Sequence, residues 1–217
     1  TGNIRAILNA DGRRKMLTCS HVLLASGRTP QTKPLRLDLA GIKTTKQGFI
    51  KVDDKLQTNI KGVYALGDIK GGPAFTHISY NDHLVIVENL LRKKSMTIKN
   101  RMLPYCIFTD PQLGRIGITE KEAKAQGLKY KMAMIKMTKV ARAIETGDTR
   151  GLMKAIVDKK TGLILGAAVL GTAGGEVMAV IQMAMMGKIT YQQIRNGIFA
   201  HPTYSESLNN LFMTLDT

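Results

Sequence analysis

The spacing of apolar positions changes character near residue 100, and the change divides the chain into two stretches. In the first, short apolar runs end at glycines. Residues 3–9 and 15–25 read as two strands joined by Asp11-Gly12, a dipeptide that tolerates the positive φ angles of a tight hairpin. The second strand is expected to continue through the apolar block Val22-Leu23-Leu24-Ala25 as a buried strand, ending in Ser26-Gly27-Arg28-Thr29-Pro30. A polar connection over 31–48 follows, with Leu35, Leu37 and Leu39 as scattered anchors. Phe49 to Asp53 predicts a short strand. Val63 to Leu66 predicts a buried one that stops at Gly67, leaving Asp68 at its carboxyl end. From Thr76 to Leu91, Tyr80, Leu84, Val87 and Leu91 recur at helical spacing and predict a helix with that stripe buried.

Beyond Asn100 short strands alternate with helices. Strands are expected over 104–108, 114–118, 129–137, 151–157 and 163–170, with Asp158-Lys159-Lys160-Thr161-Gly162 closing the last pair into an antiparallel hairpin. Thr119-x-x-Glu122 is a capping box for a helix that Gly127 stops, and Thr190-x-x-Gln193 starts another that ends at Gly197. Between them, 175–187 is a helix bearing Val177, Met178, Ile181, Met185 and Met186. Methionine at this spacing reads as adaptable packing at a subunit interface rather than as thioether metal ligands. The second stretch is therefore an α+β domain, helices on an antiparallel sheet, preceded by parts of α/β character.

Candidate chemistry falls in three places. Gly27 and Gly67 each end an apolar run, where bare backbone lets a ligand lie close, and the Asp68 carboxylate can accept hydrogen bonds from sugar or ribityl hydroxyls. Each is equally a plain turn after a strand. The helix from Thr76 begins just past Asp68, so its first N–H groups can face the same ligand, with His77 in the first turn. Near the end of the chain, His201-Pro202-Thr203-Tyr204-Ser205-Glu206 sets an imidazole and a carboxylate close together in sequence. Histidine takes and returns a proton near neutral pH, and a carboxylate on one ring nitrogen fixes its tautomer. Thr203-x-x-Glu206 also fits a capping box, with Leu208, Leu211 and Phe212 as the buried face of a terminal helix. On these residues alone both readings stand.

Composition narrows the field. At 217 residues and 44% hydrophobic the chain can build one large domain or two smaller ones. No apolar run reaches the roughly 18 residues of a membrane helix, so no membrane partner is expected. Thr1 to Leu17 reads like the middle of a fold, as if cut from a longer chain. Cys19 and Cys106 lie far apart, outside any redox or metal spacing, which fits small buried residues and a cytoplasmic location. The net charge of +16 raises the alternative of a basic nucleic-acid-binding protein. The basic residues are spread along the whole sequence, however, and aromatics are only 5% with no tryptophan, so a solvated basic surface is expected and no nucleic acid.

Four stretches, in order, resemble the class I pyridine nucleotide–disulfide oxidoreductases, the family of lipoamide dehydrogenase, glutathione reductase and mercuric reductase. Val22 to Pro30 is similar to the family's strand ending in A-x-G-R-x-P. Thr58 to Asp68 is similar to its second flavin motif. Pro104-Tyr105-Cys106-Ile107-Phe108-Thr109-Asp110-Pro111, with Gly117-Ile118-Thr119-Glu120, resembles the opening of its dimerisation domain, and His201 to Glu206 its H-P-T-x-S-E signature. The resemblance implies a layout: 1–29 as the end of the NAD(P)-binding domain, 30–100 as the returning segment of the FAD-binding domain, and 101–217 as the dimerisation domain. It implies that Gly67 and Asp68 contact FAD, that Ala74, Phe75, Thr76 and His77 lie along the flavin's pyrimidine edge, and that Gly27 borders the nicotinamide nucleotide. Electrons would pass from NAD(P)H through FAD and a cysteine pair to a small-molecule, dithiol or metal-ion substrate. In a homodimer His201 of one subunit, oriented by Glu206, would move protons at its partner's thiols.

There are departures from the family pattern. Thr76 stands where the family commonly has alanine, and the chain ends without the cysteine pair usual in mercuric reductases, although Phe75-Thr76-His77-Ile78-Ser79 is similar to the mercuric-reductase-like branch that includes the reactive-chlorine-resistance flavoproteins. The family's C-x-x-x-x-C pair and G-x-G-x-x-G loops do not occur in this sequence. The expectation is therefore that this chain alone neither holds FAD stably nor turns over, and in isolation it could amount to a non-catalytic dimerisation module.

Overall fold

The computed structural model describes residues 3–216, and the chain divides into two compact units, Thr1–Lys99 and Asn100–Thr217. In the first unit, strands β1 (Ile4–Ala10) and β2 (Arg13–Cys19) pair antiparallel from Ile4↔Cys19 to Ala10↔Arg13. Asp11 and Gly12 both take positive φ, 51° and 71°, as a two-residue hairpin turn requires. β2 ends at Cys19 rather than continuing to Ala25. The Val22–Ala25 block is not a strand, and Leu23 and Leu24 are 90% and 84% exposed. A strand is held by its neighbours' N–H and C=O groups, and among the described residues no chain pairs with this block.

The two short strands expected further on are single bridges instead. Thr44 pairs with Ile50, and Gln57 with Tyr64. The backbone there is satisfied by turn-like bonds, Thr58 N–H to Val63 C=O (2.8 Å) and Ala65 N–H to Leu56 C=O (3.1 Å). Leu56 and Ala65 are buried while Val63 and Leu66 stay exposed, so the apolar run 63–66 covers only one face. A short 3₁₀ turn, Gly67–Lys70, follows, and then α1 (Thr76–Leu90). α1 buries Ile78, Asp82 and Val85, not the stripe expected, and Tyr80 and Leu91 on that stripe are exposed. Both sets obey helical spacing. The carboxylate of Asp82 hid the real buried face from a hydrophobicity reading.

The second unit is a five-stranded antiparallel sheet in the order β3-β4-β7-β6-β5, formed by β3 (Tyr105–Ile107), β4 (Leu113–Gly117), β5 (Tyr130–Lys136), β6 (Leu152–Asp158) and β7 (Ile164–Leu170). Helices α2 (Glu120–Ala125), α3 (Ala141–Glu145), α4 (Gly174–Met186), α5 (Tyr191–Arg195) and α6 (Ser207–Met213) complete it. The core lies between one face of the sheet (Ile116, Ala133, Ile135, Met153, Ala155, Val169) and buried faces of α4 and α6. Leu208, Leu211 and Phe212 of α6 are fully buried, each worth about 1.5–3 kcal/mol of hydrophobic transfer. The stripe assigned to a subunit interface is corrected in part, since of its five residues only Met186 is exposed. Val177, Met178 and Ile181 pack into this unit's own core, and the exposed methionines of α4 are Met183 and Met186. β4 approaches α4 backbone to backbone. A Cβ on Gly114 would stand 2.4 Å from the Gly174 carbonyl oxygen and 2.8 Å from Met178 Cβ.

Both predicted capping boxes, Thr119/Glu122 and Thr190/Gln193, are formed. α2 is fastened to the sheet by Glu120, whose carboxylate takes Lys154 Nζ of β6 at 2.5 Å and Lys124 Nζ at 2.9 Å. Hydrogen bonds from Lys124 and Lys154 pull its carboxyl down from 4.5 to about 2. A depressed folded-state value stabilises above the unfolded one and is lost as pH falls through the folded one, so this contribution fades between pH 4.5 and about 2. Glu120→Gln should flatten the stability–pH slope in that window. Urea midpoints measured at several acid pH values check this, and a slope identical to the parent's would contradict it.

Candidate functional site

In the first unit the turn after Leu66 is shaped by three constraints. Gly67 has φ +71°, and a Cβ on it would lie 2.6 Å from Ser79 Oγ of α1, so no other residue fits without displacement. Its N–H donates to Asp82 Oδ2 at 2.8 Å. The following Asp68 is left half-exposed, its carboxylate taking Arg28 Nη1 at 2.5 Å. Beside it opens a cleft of about 660 Å³ lined by Gly27, Arg28, Thr29, Pro30, Gln31, Phe49, Asp68, Ile69, Gly72 and Ala74. That size suits a small-molecule or cofactor site.

The structure thus gathers Gly27, Asp68 and Ala74 at one cleft, with the buried Gly67 in the turn that carries Asp68. Phe75, Thr76 and His77 lead from Ala74 into the first turn of α1 and do not line the cleft. Phe75 is the N-cap, its carbonyl accepts the Ile78 and Ser79 N–H groups, and its ring stacks on His77 at 5.2 Å. The residue types fit a flavin nucleotide. Gly27, at φ +110°, has nothing within 4 Å of where a Cβ would stand, so bare backbone faces open space, and Asp68 offers acceptors to hydroxyls. Sequence reasoning missed Arg28, Phe49 and Asp82. Of these, Arg28 stands in the stretch similar to A-x-G-R-x-P and Asp82 is an acid at the centre of the Ile78–Val85 spacing, while Phe49 left no signal.

In the second unit His201 Nδ1 lies 3.0 and 2.9 Å from the two carboxylate oxygens of Glu206. An ionised carboxylate only accepts, so Nδ1 carries the hydrogen and Nε2 is left for proton exchange. The imidazole side chain is 67% exposed, whereas that of Glu206 is 18% exposed. The partner that orients is sheltered and the ring that would react is open. The expected capping box is not formed: α6 starts with Glu206 as its N-cap and no side-chain cap bond, and Thr203 closes only the turn before it. Thr203 Oγ1 accepts the Glu206 N–H at 3.2 Å and donates to the Ala200 carbonyl at 2.9 Å, but the Glu206 carboxylate turns to His201. The segment is braced by Tyr204, whose hydroxyl meets Thr146 Oγ1 at 2.7 Å, a contact no sequence pattern announced.

Other groups have structural partners. A smaller cleft of about 280 Å³ contains Glu120 and Lys154, which bond each other. The two cysteines are unbonded to each other. Burial, then the nearby Glu176 carboxylate, push the Cys106 thiol up, away from thiolate chemistry. Among the described residues no group of three metal-ligating side chains occurs, and no helix is long and apolar enough to cross a membrane.

Comparison with known proteins adds lineage to this geometry. The model of the pyridine nucleotide-disulphide oxidoreductase dimerisation domain matches residues 103–212, and that of pyridine nucleotide-disulphide oxidoreductase matches residues 2–82. The chain is 39% identical over 197 residues to the probable pyridine nucleotide-disulfide oxidoreductase RclA of Escherichia coli, covering 90% of this chain and 45% of that protein. It is 36% identical to a dihydrolipoyl dehydrogenase of Vibrio cholerae (86% and 39% covered) and 29% identical to a mercuric reductase of Staphylococcus aureus (96% and 38% covered). The solved HOCl-induced flavoprotein disulfide reductase RclA of E. coli superposes with a TM-score of 0.88 at 35% identity, covering 95% of this chain and 49% of that one. The chain spans about half the length of the relatives it matches.

Proposed function

Because the chain belongs to the pyridine nucleotide–disulphide oxidoreductase family, we propose that it is the C-terminal portion of an FAD-dependent, NAD(P)H-oxidising reductase of a disulfide or a metal ion, acting as a cytoplasmic homodimer. The observation that carries this reading is the His201–Glu206 pair, a sheltered carboxylate holding an exposed imidazole in one tautomer. In this reading 1–29 ends the NAD(P)-binding domain, 30–100 returns through the FAD-binding domain, and 101–217 dimerises. Gly27, Gly67, Asp68 and Ala74 to His77 would hold the nucleotides. FAD, when bound, supplies two-electron transfer between NAD(P)H and a cysteine pair contributed by the rest of the protein.

Reducing a disulfide breaks one S–S bond and forms two S–H bonds. It consumes the hydride of NAD(P)H and one further proton. His201 is suited to deliver that proton from Nε2 and to recover it from solvent, while Glu206 steadies the imidazolium that forms. Exposed apolar groups on the second unit, Met183, Met186, Phe108 and Ile198, support a partner subunit there.

The test joins this chain to the sequence that precedes it in its gene. The longer protein should purify with flavin absorbance and oxidise NAD(P)H with a disulfide or metal-ion acceptor. Residues 1–217 alone should do neither. Stoichiometric flavin and turnover from 1–217, or a longer protein devoid of flavin, would overturn the proposal.

A further inference from the structure

The most thoroughly buried charge in the first unit has no place in the reading above. Asp82, in the middle of α1, is wholly buried, and it pairs with Lys70 Nζ at 3.2 Å, a side chain only 5% exposed. A charge taken out of water is retained only where it is paired and its remaining lone pairs are used. Asp82 is both paired and hydrogen-bonded through one short segment. Its Oδ2 accepts the Gly67 N–H at 2.8 Å and faces the Lys70 ammonium. Gly67 and Lys70 are the first and last residues of the 3₁₀ turn that carries Asp68. Neither contact would be needed to finish α1, whose own backbone bonds are made within the helix.

We propose that Asp82 and Lys70 form a buried ionic clamp that positions the Gly67–Asp68 turn, and so set how tightly the cleft beside it holds a flavin nucleotide. Asp82 is a positioning residue and touches no ligand itself. It fixes the first residue of the turn by a charge-assisted hydrogen bond and the last by an ion pair, so the turn cannot swing as a loop. Ser79, one helical turn earlier on α1, closes the remaining freedom by crowding Gly67. Asp68 then reaches the cleft in one orientation, and the cost of ordering it is met before a ligand arrives. A neutral pair of similar shape would fill the space, but an amide facing a buried ammonium would leave that charge without its counterion.

This inference rests on the proposed flavin site, and the experiment separates the two. In the full-length flavoprotein, the FAD dissociation constant and the thermal midpoint of the apoprotein are measured for Asp68→Ala, Asp82→Asn, Lys70→Met and the double variant Asp82→Asn/Lys70→Met. Asp68→Ala weakening FAD at least tenfold supports the site; no change there would overturn the site itself. Given that result, Asp82→Asn should weaken FAD by a factor of ten or more. The double variant, free of the stranded ammonium and still able to accept the Gly67 N–H, should recover part of that loss, a non-additivity expected of residues in direct contact. If Asp82→Asn lowers the apoprotein midpoint yet leaves the FAD constant at the parent value, the pair only stabilises the fold and the clamp is refuted. If Asp82→Asn is too unstable to purify, Lys70→Met carries the same comparison, with the same outcome deciding it.

Discussion

Replacing His201 with glutamine in the full-length protein should lower turnover by about two to four orders of magnitude, the usual worth of a positioned acid–base group. Glutamine keeps a polar side chain beside Glu206 but cannot take and return a proton at neutral pH. The geometry says why nothing else should suffer. The imidazole is 67% exposed and its one described contact is with Glu206, so its removal opens no cavity, and the glutamine amide can donate to the sheltered carboxylate in its place. Flavin absorbance and the mass in solution should therefore match the parent, and the loss should appear in kcat with the rate of flavin reduction by NAD(P)H retained. Glu206→Gln should give a smaller loss, because the proton carrier itself is retained while the carboxylate that orients it is gone. Parent-like turnover by the His201 variant would mean that the segment serves only to start α6.

The second large effect is on folding. Gly114→Ala should destabilise the second unit by about 3 kcal/mol, at the upper end of the usual overpacking range. By the usual relation between energy and midpoint for a chain of this size, that lowers the thermal midpoint by about 6–12 °C. The new methyl, held rigidly by the β4 backbone, would lie 2.4 Å from the Gly174 carbonyl oxygen, itself a backbone atom, so no flexible side chain can move aside. Relief requires α4 to lift from β4, which loosens Val177, Met178 and Ile181 from the core. Gly127→Ala is the matched control. It also adds a methyl, at φ +65° but into open space, and should cost only the roughly 1–2 kcal/mol of a left-handed alanine. Calorimetry on both variants checks the order, and a larger drop for Gly127→Ala would contradict it.

The second unit was largely legible in the sequence, and for a reason of scale. Its elements are held by near neighbours: β6 and β7 by the Asp158–Gly162 turn, α2 and α5 by their own capping boxes, α6 by the Leu208–Phe212 spacing. In the first unit the same rules failed wherever an element depended on a distant partner. Val22–Ala25 has the composition of a core strand, but composition cannot supply the flanking strands, and the block is exposed. The face of α1 was misjudged because a buried acid, satisfied through Gly67 and Lys70, imitates a solvent-facing position. The candidate site could be nominated from its glycines and from His201 and Glu206, since backbone permissiveness and proton chemistry belong to residue types. Arg28 against Asp68, and Tyr204 against Thr146, are products of chain folding and left no trace in spacing.

The turn that leads into α6 also bears on how this corner of the molecule could be altered. Thr203 closes it with a hydroxyl, and what Glu206 lends to that bond is a main-chain N–H that any residue except proline possesses. The carboxylate is therefore released from the helix and bound only to the ring. Two duties that share one residue sit on different atoms of it. An engineer wishing to change what holds the imidazole in place can shorten or neutralise that side chain and leave the Thr203–Glu206 turn intact.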